Sequence, residues 1–264
     1  SDWTEVLGAK LGGAKFVFTK KAMSWGNLHW KIRSFLSDFI VTINEEMKNY
    51  FPNKKAQKLI PIGIDLDYYN STHFPTNKDS NYFNIISVAN LVPVKGIEVL
   101  IDAVCTLDNP KIKLSILGDN NNEYGEKLQE KVNVLGKQEQ IVFLGKHKDV
   151  RPFLVNSDLY VIPTLNEGRK EGMPMALVEA MCMNIPVLGS DISGINFVLK
   201  DFQDYLFEAS NSQALASKIN MMISKTEEER KNIGSSLRNY VVNNFSMEQF
   251  ISSHEELYLK LAKK

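Results

Sequence analysis

The chain has 264 residues, 44% of them hydrophobic and 23% charged, a globular balance that excludes disordered and collagen-like structure. Thirty-one Lys and Arg offset thirty-one Asp and Glu, so no net field favours a duplex nucleic acid or an acidic membrane, and the expected ligand is a small molecule. Cys105 and Cys182 are too few for a disulfide framework and too far apart for a zinc pair, which points to a reducing compartment.

In chain order, short β-rich apolar runs at 15–19, 39–43 and 58–62 form a first group. A polar stretch at 73–81 (HFPTNKDSN) then reads as a linker. Beyond it, strands are expected at 83–88, 113–117, 141–144, 159–163, 186–188 and 205–207. Between most of them lie amphipathic helical stretches, of which 97–107 and 123–135 are the clearest. Further helices are expected at 214–223, 227–242 and 247–263. This alternation predicts an α/β protein with a parallel sheet. The expected division is 1–72 as a partial N-terminal domain, 73–82 as linker, 83–246 as a complete Rossmann-like domain and 247–264 as a closing helix. No apolar run reaches the roughly 18 residues of a membrane span; even 173–189 is broken by Glu179 and Asn184. A cytoplasmic protein is expected, at most peripheral at a membrane. Because the sequence opens at Ser1-Asp2 without a signal-like segment, it is expected to be an interior piece of a longer chain.

The chemistry concentrates in 167–181 (EGRKEGMPMALVEAM), directly after an expected strand. Gly172 would let backbone approach a ligand, and Pro174 suits the first position of a helix. The unpaired amides near Met175, Ala176 and Leu177 would then point at an anion from a positive dipole end. Glu179 lies five residues past Pro174, roughly 7.5 Å along a helix axis, the span from a phosphate to its ribose. Glu171 would face the other end of the ligand. The same residues equally fit an acidic first turn followed by a surface glutamate.

Glu171 and Glu179, seven residues apart within EGMPMALVEAM and followed by IPVLGSDISGI at 185–195, resemble the E-x7-E signature of retaining glycosyltransferases of family 4, which have the GT-B fold. Three more segments match in order: SVANLVPVKG at 87–96 is similar to the family's phosphate-binding Lys-Gly loop, SILGD at 115–119 to its strand-end Gly-Asp, and PIGID at 61–65 to its interdomain turn. The resemblance runs from about residue 60 to the end of the chain. It implies transfer of a sugar from a nucleotide-sugar donor, UDP- or GDP-linked, to a carbohydrate or lipid-linked acceptor in polysaccharide or glycolipid assembly. It implies retention of configuration, with no cofactor and no metal. By position, Glu171 would contact the donor sugar, Gly172, Met173 and Pro174 would line the sugar and β-phosphate, Glu179 would hold the ribose, and Lys95 would neutralise the diphosphate as it leaves.

Two departures stand out. The family commonly carries Arg five positions before that Lys, where this sequence has Asn90; Arg169 or Lys170 is the adjacent candidate to replace the charge. Second, too few residues precede 73 for a whole N-terminal domain. What is present should leave a sheet edge exposed and a face uncovered, with the last helix crossing back to it. Asp65-Leu66-Asp67 has a D-x-D metal-site spelling but sits in the Gly-Ile-Asp turn, and 119–123 better fits a strand-to-helix turn than a calcium loop. Trp25, His29, Trp30, Lys31 and Arg33 would form an aromatic and basic cluster, either against a lipid-linked acceptor or buried. His29, His73, His147 and His254 show no ligand spacing. Lys146 and Lys148 fall where the family reads the nucleotide base. Two rivals remain: a non-catalytic nucleotide-sugar-binding subunit, and a GT-B relative such as a nucleotide-sugar epimerase.

Overall fold

A computed structural model of the chain describes residues 3–21, 23, 28–51, 56–168 and 171–263. In chain order the elements are α1 (Thr4–Leu11), β1 (Val17–Lys20), α2 (Leu28–Leu36), β2 (Phe39–Thr42), β3 (Gln57–Leu59), β4 (Phe83–Val88), α3 (Ile97–Leu107), β5 (Ile112–Leu117), α4 (Glu123–Val134), β6 (Ile141–Gly145), α5 (Arg151–Leu154) and β7 (Leu159–Ile162). Then follow α6 (Met175–Cys182), β8 (Val187–Ser190), α7 (Ser193–Val198), β9 (Leu206–Phe207), α8 (Ser212–Ser224), α9 (Glu227–Asn244) and α10 (Met247–Ala262). Every expected strand is present, with ends shifted by at most three residues. Strands β3 and β7 stop short of their expected ends at 62 and 163, next to Pro61 and Pro163, which have no amide to continue a ladder.

The larger sheet is parallel throughout, in the order β6-β5-β4-β7-β8-β9. Its central strands β7 and β8 are buried along their whole length, which is why they read as unbroken apolar runs. Successive residues serve opposite cores: Tyr160 and Ile162 pack with Leu177, Val178 and Met181 of α6. Leu159 and Val161 pack with Leu100, Ile101 and Val104 of α3 and with Leu215 and Ile219 of α8.

The smaller sheet, also parallel, has the order β1-β2-β3. An uncovered face was expected for it, and both faces are covered. Trp30 of α2, with Phe51, packs on Phe18 and Ile40; Phe250, Leu257 and Leu261 of α10 pack on Val17, Phe39, Val41 and Ile60. Alternation along each strand divides its side chains between two hydrophobic layers. The return of α10 is fixed at its start, where the Ile64 amide donates to the Phe245 carbonyl at 2.8 Å and the Met247 amide to the Ile64 carbonyl at 3.0 Å. Gly63 makes this approach possible, since a Cβ there would lie 2.6 Å from Cβ of Phe250 and 2.9 Å from Cα of Met247.

Gly63→Ala should therefore destabilise the protein by about 1–3 kcal/mol through overpacking. Gly8→Ala, inside α1 where an added Cβ meets nothing within 4 Å, should stabilise it by about 0.5–1 kcal/mol. Denaturant midpoints of the two variants check both signs; equal midpoints would contradict the packing of α10 described here.

Candidate active site

The order of the larger sheet reverses between β4 and β7, so the connections leaving these neighbours run to opposite sides and open a crevice at their carboxyl ends. A cavity of about 480 Å³ occupies this place. Its walls come from the carboxyl ends of four strands and the residues that follow them: 87–90 at β4, 117–119 at β5, Lys146 and His147 after β6, and 162–164 at β7. Glu171 and 173–176 close the remaining side.

Lys95 ends a short 3-10 turn, Pro93–Lys95, between β4 and α3. The turn exits through Gly96 at φ 64°, where a Cβ would lie 2.0 Å from the Pro163 carbonyl oxygen. Only glycine fits both the left-handed backbone and this contact with the end of β7. The Leu165 amide donates to the Val94 carbonyl at 2.8 Å and ties the same two loops together. Lys95 is thereby held in the cavity wall, where its ammonium forms an ion pair with the Glu171 carboxylate. Both side chains are mostly shielded, 24% and 18% exposed.

The approach to α6 differs from the expectation in two respects. Pro174 stands at the N-cap, with extended backbone (ψ 97°), rather than at the first helical position. Its carbonyl accepts from the amides of Leu177 and Val178 at 3.1 and 3.3 Å. The Leu177 amide is consequently satisfied, and the first-turn amides without an acceptor among the described residues are those of Met175 and Ala176. Gly172 allows a close approach, but of the protein to itself. A Cβ there would meet the Lys21 carbonyl oxygen at 2.3 Å and the side chains of Met47 and Ile43 at 3.0 and 3.1 Å. The Asn44 side-chain amide donates to the Gly172 carbonyl at 2.6 Å. This loop is thus the joint between the two sheets.

Of the residues expected at a donor site, Asn90, Lys95, Glu171, Met173, Pro174, Met175 and Ala176 line the cavity. Gly172, Leu177 and Glu179 do not; Leu177 is fully buried in the core. Glu179 lies one turn farther along α6, with the Tyr69 phenol in its neighbourhood. Burial raises the Glu179 carboxyl above the usual range, and the neighbouring Tyr69 hydroxyl opposes this. The sequence offered no signal for Tyr69, which is 110 residues from Glu179. It gave no role to His147 or Thr164 either, and both line the cavity. The Nε2 of His147 lies 2.9 Å from the Leu144 carbonyl oxygen; the buried Thr164 hydroxyl has no partner among the described residues. Lys146 is on the cavity wall, and Lys148 is not.

Arg169, Lys170 and Trp25 lie outside the described residues. Asp65 spends a carboxylate oxygen on the amides of Asp67 and Tyr68, at 3.0 and 2.9 Å, within its own turn. Asn122 caps α4 through the Gly125 amide at 3.0 Å. Trp30 packs edge-on against Phe18, and Arg33 pairs with Glu5 at 2.9 Å, so these two of the five members of the aromatic and basic cluster are structural. Among the described residues no group of three or more His, Cys, Asp or Glu is placed to hold a metal ion, and no helix is long and apolar enough to cross a membrane.

The family described as "Glycosyl transferases group 1" matches residues 69–240, and the chain belongs to it. The chain is 28% identical over 222 residues to N-acetyl-alpha-D-glucosaminyl L-malate synthase of Bacillus anthracis, covering 82% of this chain and 56% of that protein. It is 27% identical over 233 residues to the UDP-Gal:alpha-D-GlcNAc-diphosphoundecaprenol alpha-1,3-galactosyltransferase of Escherichia coli, covering 81% and 57%. The chain thus spans little more than half the length of these curated relatives. Among solved structures, a glycosyltransferase from Rickettsia africae ESF-5 superimposes with a TM-score of 0.89 at 21% identity, covering 99% of this chain and 74% of that one. Anabaena HepE in complex with UDP and glucose gives 0.82 at 19% identity, covering 98% and 74%. The architecture is that of GT-B glycosyltransferases.

If the cavity takes a diphosphate, its charge balance sets the affinity. Lys95→Met should weaken binding of a nucleoside diphosphate by one to two decades, and Asn90→Arg should strengthen it by a similar factor, as expected for a charge-assisted contact of about 1.5–3 kcal/mol. Isothermal titration with UDP and GDP measures both; an unchanged dissociation constant in both variants would remove the diphosphate from this wall.

Proposed function

We propose that the chain is the donor-binding portion of a retaining, metal-independent glycosyltransferase that moves a sugar from a UDP- or GDP-linked donor to a carbohydrate or lipid-linked acceptor. The observation that carries this reading is the convergence of Lys95, the free amides of Met175 and Ala176, and Glu171 on one cavity at the switch point of the sheet. The names of relatives and the ligands of structural neighbours support the same substrate class: a UDP-Gal-dependent enzyme is among the relatives, and UDP and glucose are bound in Anabaena HepE. Polysaccharide or glycolipid assembly is the context we propose. The Escherichia coli relative acts on a lipid-linked diphosphate by its name, and an acceptor of that kind would bring the protein to the cytoplasmic face of a membrane as a peripheral partner.

Donor binding is an exchange of partners. The diphosphate takes the Lys95 ammonium and the amides at the start of α6, which frees the Glu171 carboxylate to accept hydrogen bonds from the sugar hydroxyls. The ribose lies toward Glu179. As the glycosidic bond breaks through an oxocarbenium-like state, negative charge grows on the leaving diphosphate, where Lys95 and the helix dipole already point. Those fixed charges serve the role that a divalent cation would otherwise fill.

A second reading, a nucleotide-sugar-binding subunit without turnover, draws on the uncharged Asn90 in the same wall. Thermal unfolding of the chain against UDP, GDP and their sugar conjugates addresses the proposed donor class. A ligand at 100 times its dissociation constant should add about 2.7 kcal/mol, and Glu179→Ala should abolish most of that gain. Stabilisation by none of these compounds would overturn the proposal.

A further inference from the structure

The loop that carries Glu171 is held from the smaller sheet. Asn44 stands two residues past β2, the central strand of that sheet, and is fully buried. Its side-chain oxygen accepts from the Met47 amide at 3.0 Å, in the 3-10 turn Glu46–Tyr50, and this fixes its amide nitrogen on the other side. There the nitrogen donates to the Gly172 carbonyl at 2.6 Å and to the Met23 sulfur at 3.3 Å. The chain just past β1 meets the same residue, through the Lys21 carbonyl that leaves no room for a Cβ at Gly172. From the opposite side α7 closes in: a Cβ on Gly194 would lie 2.5 Å from the Glu171 carbonyl oxygen and 3.0 Å from that of Gly172. One residue on, the Met173 sulfur accepts from the Ile62 amide at 3.3 Å. The backbone of 171–173 is therefore seated between the ends of the smaller sheet and the start of α7. Lys95 is set instead by the larger sheet, through the contact of Gly96 with Pro163. The two members of the ion pair in the cavity wall are thus positioned by different parts of the molecule.

We propose that Asn44 is a positioning residue for the donor sugar: through the Gly172 carbonyl it fixes where the neighbouring Glu171 carboxylate meets the sugar hydroxyls, so that the smaller sheet sets how firmly the sugar end of the donor is held. The inference rests on the proposed contact of Glu171 with the sugar. A side chain that serves a substrate has to be kept within about 0.5 Å of its working position. Glu171 belongs to no helix or strand, and α6 begins only at Met175, so its backbone has to be fixed by something outside the loop. An amide buried as deeply as that of Asn44 costs free energy unless its groups are bonded. Here both ends of the amide are satisfied, and a fully bonded buried polar group specifies one arrangement of the segments it joins. The consequence is a split in binding. The diphosphate end, held by Lys95 and the amides of Met175 and Ala176, is independent of Asn44, and the sugar end depends on it.

The test is calorimetric binding of UDP, UDP-glucose and UDP-galactose, and of GDP and GDP-mannose, to the wild-type chain, Asn44→Asp, Asn44→Ser and Leu215→Ala. Asn44→Asp keeps an acceptor for the Met47 amide and removes the donor to Gly172. Asn44→Ser is too short to reach that carbonyl and buries no charge, so it serves if the aspartate variant does not fold. Leu215→Ala is the control for lost stability, because Leu215 is buried in the core on the face of the larger sheet away from α6. The expected result is an affinity advantage of nucleotide sugar over nucleoside diphosphate in the wild-type chain that falls about threefold to tenfold in both Asn44 variants. Affinity for the nucleoside diphosphate alone should be held or raised in them, and the advantage should persist in Leu215→Ala. An unchanged advantage in the Asn44 variants, or an equal loss of affinity for both kinds of ligand, overturns the role of Asn44 and leaves the donor site standing. A wild-type chain that binds nucleoside diphosphates but gains nothing from the sugar overturns the contact of Glu171 with it, and the role of Asn44 as well. Failure to bind any of these compounds overturns the donor site itself, and this role with it.

Discussion

The parting of connections between β4 and β7 is the constraint from which the site follows. In a parallel sheet every strand must return through a crossover, and where two neighbours send theirs to opposite faces neither covers the gap between their carboxyl ends. That gap has to be walled by loops, and loops hold a geometry only when something pins them. Here the pin is the contact of Gly96 with the Pro163 carbonyl, which joins the loop after β4 to the end of β7. It sets Lys95 at the mouth of the crevice, and the core beneath it, fully buried through β7 and β8, leaves little freedom for either loop to shift.

Charge decides what such a crevice accepts. Lys95 and Lys146 stand in its wall with Asp119 and Glu171, and Asn90 contributes a neutral amide. Without a ligand, Lys95 is neutralised by Glu171, which keeps two partly shielded charges from lying unpaired. On the proposed reading a diphosphate would compete for the lysine and a sugar would satisfy the carboxylate left behind, so the two halves of a nucleotide sugar would each supply what the other displaces. A monofunctional anion would take the lysine and leave Glu171 without its partner. Selection for the whole donor would then follow from the pairing itself.

The sequence made the sheet and most of the site legible, because both are local. Alternation and apolar runs located all nine strands among the described residues, and the helix Ile97–Leu107 was found to the residue from its buried face of Leu100, Ile101 and Val104. Lys95, Glu171 and the start of α6 were legible through their spacing and their resemblance to a family. What escaped depends on distant partners or on weak local pattern. Helix α1 contains a glycine and buries only Val6, and α7 has six residues beginning Ser-Gly, so neither carries a helical period. Pro174 was one position off because its extended backbone is set by the loop from Glu171 rather than by the helix it precedes. Gly172 was given to a ligand, when its neighbours prove to be Lys21, Ile43 and Met47, more than a hundred residues away. The hydrogen bond from Arg238 of α9 to the Tyr69 carbonyl joins residues 169 positions apart and has no trace in spacing.

The central claim is that a nucleoside diphosphate enters at the switch point and takes Lys95 from Glu171. The most direct measurement is two-dimensional amide NMR of the isotope-labelled chain titrated with UDP and GDP. The account predicts the largest shifts at Met175 and Ala176 and through 89–96, together with a change in the Lys95 ammonium signal that is lost in Lys95→Met. Shifts concentrated instead around Asn166, Asp191 and Glu208, the second cavity beyond β8 and β9, with 89–96 and 175–176 unmoved, would contradict it.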